Sequence, residues 1–499
     1  MGLNPDTFYN SLLYSSPNVP HDNPALLKDF LHWVCADSED LGSLLEGRID
    51  DIAYAPESDE RNVILNTIFD VVRSTPSLVR HQEHYCKQYG LSCATDFIAQ
   101  VASCASRRVV FIADIPYFQV VRESIALRGK GYSTFLIYAD TPDSRLSELH
   151  KESFDASVAL PRSLFAFAGV MEAIDAPLIH LQVSMFELDF PISRFAAEHK
   201  GAAKCVSEFY DILSLWCEFD ELNKVFPELS DYSFASERAV VRDSDAFTCR
   251  FPPQAIDDLS KFHGTNKEII EFHPYPLPEF SAPSSDKYSR SDGLIRIVYA
   301  GRVVKLEPDG SFEWPQLRIG GYLYDTFRRI TAQNMALDFF MDPNFDIRHR
   351  EGYELYQEMA MLDDLFSLQL GVWPDKFPEA ISHYDFGLNM IAVDKSKLRN
   401  RKTQFLALGT KIFTYLEAGL PVIVNREWSH AASIIEENGL GIPIYSDELD
   451  RLHEIIANFD YSQSYENIQK FNRDNNLHKR IETLTGLYER LIPEWATAD

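Results

Sequence analysis

The chain has 499 residues, 45% of them hydrophobic and 13% aromatic, enough for two or three domain cores and too much for a disordered chain. Its 47 basic and 75 acidic side chains leave a net charge of −28, which excludes a broad basic face for nucleic acid or anionic lipid. Seven irregularly spaced cysteines, with no Cys-x-x-Cys pair, fit reduced thiols in a cytoplasmic protein better than a disulfide framework or a zinc site.

The first residues, MGLNPDTFYN, lack the basic and apolar segments of a signal peptide. No apolar run reaches the roughly 18 residues of a membrane span. Asn23 and Pro24 make an N-cap and first helical position. Leu26, Leu27, Phe30, Leu31 and Val34 follow at helical spacing. Val63, Ile64, Ile68, Val71 and Val72 form a second stripe that stops before Pro76. Residues 1–104 are therefore expected to be an N-terminal helical extension. From Arg108 the texture changes. Val109 to Ala113 is a short apolar run, as in a buried parallel strand. A helical stretch ends at Gly129 to Gly131, and a strand follows from Thr134 to Tyr138, completing a βαβ unit. Apolar runs at Leu178–Leu181, Ala239–Val241 and Glu268–Phe272 extend this half. The Pro- and Ser-rich stretch from His273 to Asp292 reads as a linker. Strand-like runs then restart at Ile295–Ala300, Leu337–Phe340, Phe386–Met390, Pro421–Val424 and Gly441–Ile444. Tyr465 to Trp495 is polar, amphipathic and helical in pattern.

The expected fold class is α/β, with two tandem Rossmann-like domains. Residues 105–283 form the first and 284–464 the second, and a helical segment over 465–499 packs back on the core. Ligands in such sheets lie at the carboxyl ends of the strands, which places the expected site in a cleft between the two halves.

The segment from Ala407 to Val424 carries the most chemistry. Gly409 and Thr410 open a helix, with Thr410 as the expected N-cap. Ile412, Phe413 and Leu416 give it an apolar face, Gly419 ends it and Pro421 starts a strand. The N-terminus of a helix presents free N–H groups and the positive end of a dipole, which suits a phosphate. Lys411 adds a full charge. Just upstream, Lys395, Lys397, Arg399, Arg401 and Lys402 place five cations in eight residues, either as a solvated loop or as part of an anion site.

Residues Lys411 to Val424 (KIFTYLEAGLPVIV) resemble a segment of the nucleotide-sugar glycosyltransferases of the two-Rossmann GT-B fold. The likeness is to the large retaining family that includes sucrose and glycogen synthases and bacterial polysaccharide enzymes. Tyr299 to Arg302, Tyr384 to Asn389 and Asn438 to Ile442 resemble further family segments in the same order. The resemblance implies a sugar donor on the second domain and an acceptor on the first. It implies that Arg302, Lys305, Lys411 and the amides of Gly409 and Thr410 hold the donor diphosphate and stabilise it as it leaves, without a metal. Thr414 stands where the family carries a Glu that holds the donor ribose, and Leu406 where many members carry another. Glu417 is acidic but displaced along the helix.

On the acceptor side His180, on an expected strand, is either the family's catalytic histidine or a satisfied half-buried one. Asp211 and Glu208 are either cleft residues or the start of a helix. Asp243 and Asp245 match an Asp-x-Asp metal motif of the other glycosyltransferase fold, and are read here as turn chemistry. Gly320 and Gly321 are a possible phosphate-facing loop.

The implied protein is a cytoplasmic, metal-independent, retaining glycosyltransferase with no cofactor beyond its nucleotide-sugar donor. Its acceptor would be an unidentified glycan, lipid-linked or protein group. A catalytically silent scaffold subunit and a sugar-nucleotide epimerase remain as alternatives on the same fold.

Overall fold

A computed structural model describes residues 23–104, 107–140, 152–183, 191–225, 230–301, 323–341, 353–391 and 408–497. Residues 5, 9, 12, 13, 149, 343, 393, 405 and 406 are also described. The N-terminal region is helical. Asn23 caps helix Pro24–Asp37, its side chain accepting the Leu26 N–H at 3.2 Å. Leu27, Phe30, Leu31 and Val34 are its buried face. Helix Asp59–Ser74 buries Leu65, Ile68, Phe69 and Val72, while Val63 is 65% exposed. Its apolar face is thus rotated from the expected stripe, with Leu65 and Phe69 in the core in place of Val63 and Ile64. Pro76 opens the next helix, Pro76–Cys93.

Two compact units follow the chain. One comprises Met1–Glu208, Glu228–Phe247 and Tyr488–Asp499, the other Phe209–Pro227 and Thr248–Leu487. The Pro- and Ser-rich stretch 273–292 belongs to the second.

Strands β1 (Arg107–Ala113), β2 (Tyr132–Ala139), β3 (Ala156–Leu160), β4 (Leu178–Val183), β5 (Lys204–Phe209), β6 (Ala246–Cys249) and β7 (Ile269–Glu271) form a seven-stranded sheet in the order β3-β2-β1-β4-β5-β6-β7. β1 lies parallel to both β2 and β4, and β2 to β3. The run Ala239–Val241, expected as a strand, instead lies in helix Ser230–Asp243. Its three apolar residues form part of that helix's buried face, and the strand begins after it, at Ala246.

A six-stranded sheet follows, from β8 (Arg296–Ala300), β9 (Ala336–Phe340), β10 (Phe366–Gln369), β11 (Phe386–Asn389), β12 (Val422–Asn425) and β13 (Gly441–Ile444). Its order is β10-β9-β8-β11-β12-β13, with parallel pairing throughout. Both faces are buried. Ile297 and Tyr299 of β8 enter one core with Phe327 and Phe339, while Val298 enters the other with Ile412 and Val422. This alternation is the period of two expected of a strand covered on both sides. The strand order turns back between β8 and β11, the point at which sheets of this kind bind ligands beyond the carboxyl ends of the strands. The C-terminal region forms helices Tyr461–Asp474 and Leu477–Leu491.

Candidate functional site

Helix Thr410–Glu417 stands beside the reversal point of the six-stranded sheet. Gly409, not Thr410, is its N-cap, so Thr410 is the first helical residue. Glycine at this position brings no side chain to bond the first turn. Among the described residues no side chain caps the helix, and the amides of Thr410 and Lys411 stay open to an anion.

Tyr415 fixes the helix on the sheet. Its buried hydroxyl donates to the Leu388 carbonyl of β11 and accepts from the Ala300 N–H of β8, both at 3.1 Å. Gly387 makes room for the ring. A β-carbon there would lie 2.2 Å from Tyr415 Cγ. Ile412, Phe413 and Leu416 are buried as expected, and Gly419 ends the helix with φ +73°.

Lys411 turns across the carboxyl end of β8. Its Nζ donates to Tyr299 Oη at 2.8 Å and lies 4.1 Å from the centre of that ring. The stem of the lysine passes over Gly301, where a β-carbon would approach Lys411 Cε to 2.7 Å. Gly301 has φ +127°, a conformation that glycine adopts at little cost. Burial pushes the ammonium down to about 7. A desolvated amine on the first turn of a helix that no described side chain caps has the chemistry to meet an anion, whose charge would restore the proton.

Residues 353–477, a stretch that contains β10 to β13 and this helix, match the family model of the glucosyltransferase 3-like, C-terminal domain. In fold the chain is similar to a glycosyltransferase from Rickettsia africae. The identity is 12% and the TM-score 0.50, over 78% of this chain and 99% of that one. It is also similar to HepE from Anabaena, crystallised with UDP, at 12% identity and a TM-score of 0.52 over 77% and 99% of the two chains. The chain has the GT-B fold. No curated protein sequence matches it.

Other expected residues of the GT-B site fall into three groups. Arg302, Lys305, Gly320, Gly321, Lys395, Lys397, Arg399, Arg401 and Lys402 lie outside the described residues. Thr414 is half-buried, one turn beyond Lys411 on the same helix. Glu417 is buried and turned to the stretch after β7. Its carboxylate accepts the Leu277 N–H at 2.6 Å, and its backbone carbonyl accepts the Ala282 N–H at 3.0 Å. That carboxylate anchors the chain rather than facing the helix N-terminus.

Asp211 does not start a helix, since the next one opens at Leu213. It pairs with Arg250 at 2.7 Å. Arg250 also donates to the Tyr210 carbonyl at 2.6 Å and to the Leu408 carbonyl at 3.2 Å. One guanidinium thereby ties the Asp211 segment to the residue that precedes Gly409. Nothing in the sequence signalled this link, because the partners are far apart in the chain.

In the first unit, His180 lies inside β4 and is 0% exposed. Its Nδ1 is 2.5 Å from Tyr488 Oη, and its ring stacks on Phe111 at 4.9 Å. Burial takes its pKa down to about 3. Glu123 and Glu208 approach its Nε2 at 3.9 and 3.8 Å. Burial first, and then the charge of Glu208, push the Glu123 carboxyl well above its usual range. His180 is therefore a neutral core histidine, closed to substrate, which favours the second of its two expected roles and buries it more fully than expected. Glu208 is a strand residue of β5 and starts no helix. Asp243 pairs with Arg242, and Asp245 with Lys200 and the Cys205 N–H. Each carboxylate is held by its own partners, but neither makes the local turn expected: Asp243 ends helix Ser230–Asp243, and Asp245 binds the backbone at the start of β5.

Proposed function

We propose that this protein is a glycosyltransferase that takes a sugar from a nucleoside diphosphate donor held on the six-stranded sheet. The observation that carries the reading is the Lys411 ammonium, held by Tyr299 over Gly301 at the open N-terminus of helix Thr410–Glu417. As the bond between sugar and phosphate breaks, negative charge grows on the departing diphosphate. Preorganised amides and a partly desolvated cation stabilise that charge more than they stabilise the intact donor. The match of residues 353–477 to a glucosyltransferase-like domain supports a nucleotide sugar as the ligand. The likeness of Lys411–Val424 to the retaining family supports retention at the anomeric carbon. The seven free thiols support a reducing, cytoplasmic setting.

On this reading the diphosphate needs no added magnesium or manganese. The experiment is calorimetric titration of the purified protein with a panel of nucleotide sugars, followed by assay of sugar release to water and to candidate acceptors. Binding and turnover with at least one donor, unchanged on adding magnesium or manganese, are expected. Failure of every nucleotide and nucleotide sugar to bind would make the protein a silent subunit, a role that Thr414 in place of the family's carboxylate would then explain.

A further inference from the structure

Strand β7 ends in an acid, and an imidazole follows it two residues later. Glu271 is the last residue of β7 and His273 comes at the spacing that sets alternate side chains on one face. Helix Ser429–Glu437 brings a second imidazole, His430, on its first turn. The Nε2 atom of His273 lies 2.6 Å from Glu271 Oε1, and that of His430 lies 3.2 Å from the same oxygen. The donor atoms of all three residues lie within 4.8 Å of one another.

His430 Nε2 is enclosed and points at the carboxylate, yet among the described residues it forms no hydrogen bond of good geometry. A cation shared by the three residues would use that nitrogen together with His273 Nε2 and the Glu271 carboxylate. The site is walled by aromatic rings. His273 stacks on Phe413 at 6.3 Å, and Tyr275 lies 5.5 Å from the same imidazole.

We propose that Glu271, His273 and His430 form a three-ligand site for a divalent zinc-class cation, with water in the fourth position. Two imidazoles and one carboxylate are a donor set that zinc takes readily, with bonds of about 2.0–2.1 Å. Tetrahedral bonds of that length set donors about 3.3 Å apart. The His430 pair already has this separation, and the His273 pair reaches it by a shift of under about 1 Å. The cation would pin the exit of β7 to helix Ser429–Glu437, against the ring of Phe413 on the neighbouring helix. It is distinct from the Lys411 site and does not depend on the glycosyl-transfer reading.

The test uses the full chain, stripped with a chelator and titrated with Zn2+ and with Co2+. The wild type is expected to retain one zinc per chain through gel filtration and to show the visible bands of tetrahedral cobalt. Zinc should raise its melting temperature. His430→Ala and His273→Ala should each lower zinc affinity by more than about a hundredfold, since even outer-shell partners are worth about 10- to 100-fold. His453→Ala, an exposed histidine elsewhere, should bind as the wild type does. Where a variant fails to fold by circular dichroism, the cobalt spectrum of the wild type still decides. A wild type that retains no zinc and gives no tetrahedral cobalt bands, or a folded His430→Ala that retains both, would overturn the proposal.

Discussion

Lys411 is held by three neighbours of different kinds: a hydroxyl that accepts its proton, a ring that faces its charge and a glycine that yields to its stem. Removing it while keeping the helix tests the site directly. Lys411→Ala should fold normally and lose about 3 kcal/mol of transition-state stabilisation, roughly a hundredfold or more in kcat/KM, measured with a donor identified by calorimetry. A near-wild-type value would take Lys411 out of the site. The depressed pKa makes a second prediction. In the free protein the amine is charged below about 7 and neutral above it. A nucleotide sugar has no ionisation of its own near neutrality. Its affinity should therefore be highest below pH 7 and fall as pH rises, by up to about tenfold per unit. In Lys411→Ala the same titration, followed by calorimetry at several pH values, should be weak and flat.

At the scale of elements, helix Thr410–Glu417 is fastened at two points of its last turn. Tyr415 ties it to β8 and β11, and Glu417 ties its last turn to residues 277–282. Glu417→Ala leaves the buried Leu277 N–H without its acceptor and should cost about 1–3 kcal/mol of stability. Glu417→Gln, which keeps an acceptor oxygen, should cost less. Urea unfolding of the two variants checks the order. Much of this element was legible in advance. Gly409, Gly419 and Pro421 punctuate the sequence, and Ile412, Phe413 and Leu416 repeat at helical spacing. What was not legible is which way a polar side chain turns. Glu417 reads as a ligand residue on a helical wheel, but a carboxylate can be drawn inward by an unpaired backbone N–H such as that of Leu277. His180 was left between two roles for the same reason. Its strand was evident, whereas the hydroxyl that bonds its Nδ1 comes from Tyr488, more than three hundred residues later. Strands β3 and β10 escaped notice because Ala156–Leu160 and Phe366–Gln369 are short and carry few large apolar residues. Conversely, Ala239–Val241 has strand-forming residues inside a helix, where tertiary burial outweighs a weak local preference.

At the scale of the molecule, the tandem α/β plan follows from the restart of apolar runs at Ile295. The allocation of the chain to two units does not, because it depends on pairings that no local pattern encodes. Residues 488–499 belong to the first unit, where Tyr488 meets His180 and Trp495 packs edge-on against Tyr132 at 5.6 Å. Tyr488→Phe removes the partner of a fully buried imidazole nitrogen. It should destabilise the protein by about 1–3 kcal/mol, seen as a lower urea midpoint with an unchanged slope. The return of residues 488–499 also bears on how the protein is made. A ribosome delivers β1, β2 and β4 about three hundred residues before the segment that covers Tyr132 and completes the surroundings of His180. Until then the buried acid and imidazole groups beside β4 lack their lid, and the half-made first unit presents surface for chaperones to guard. Strands made early in this chain are sealed by a segment made about three hundred residues later.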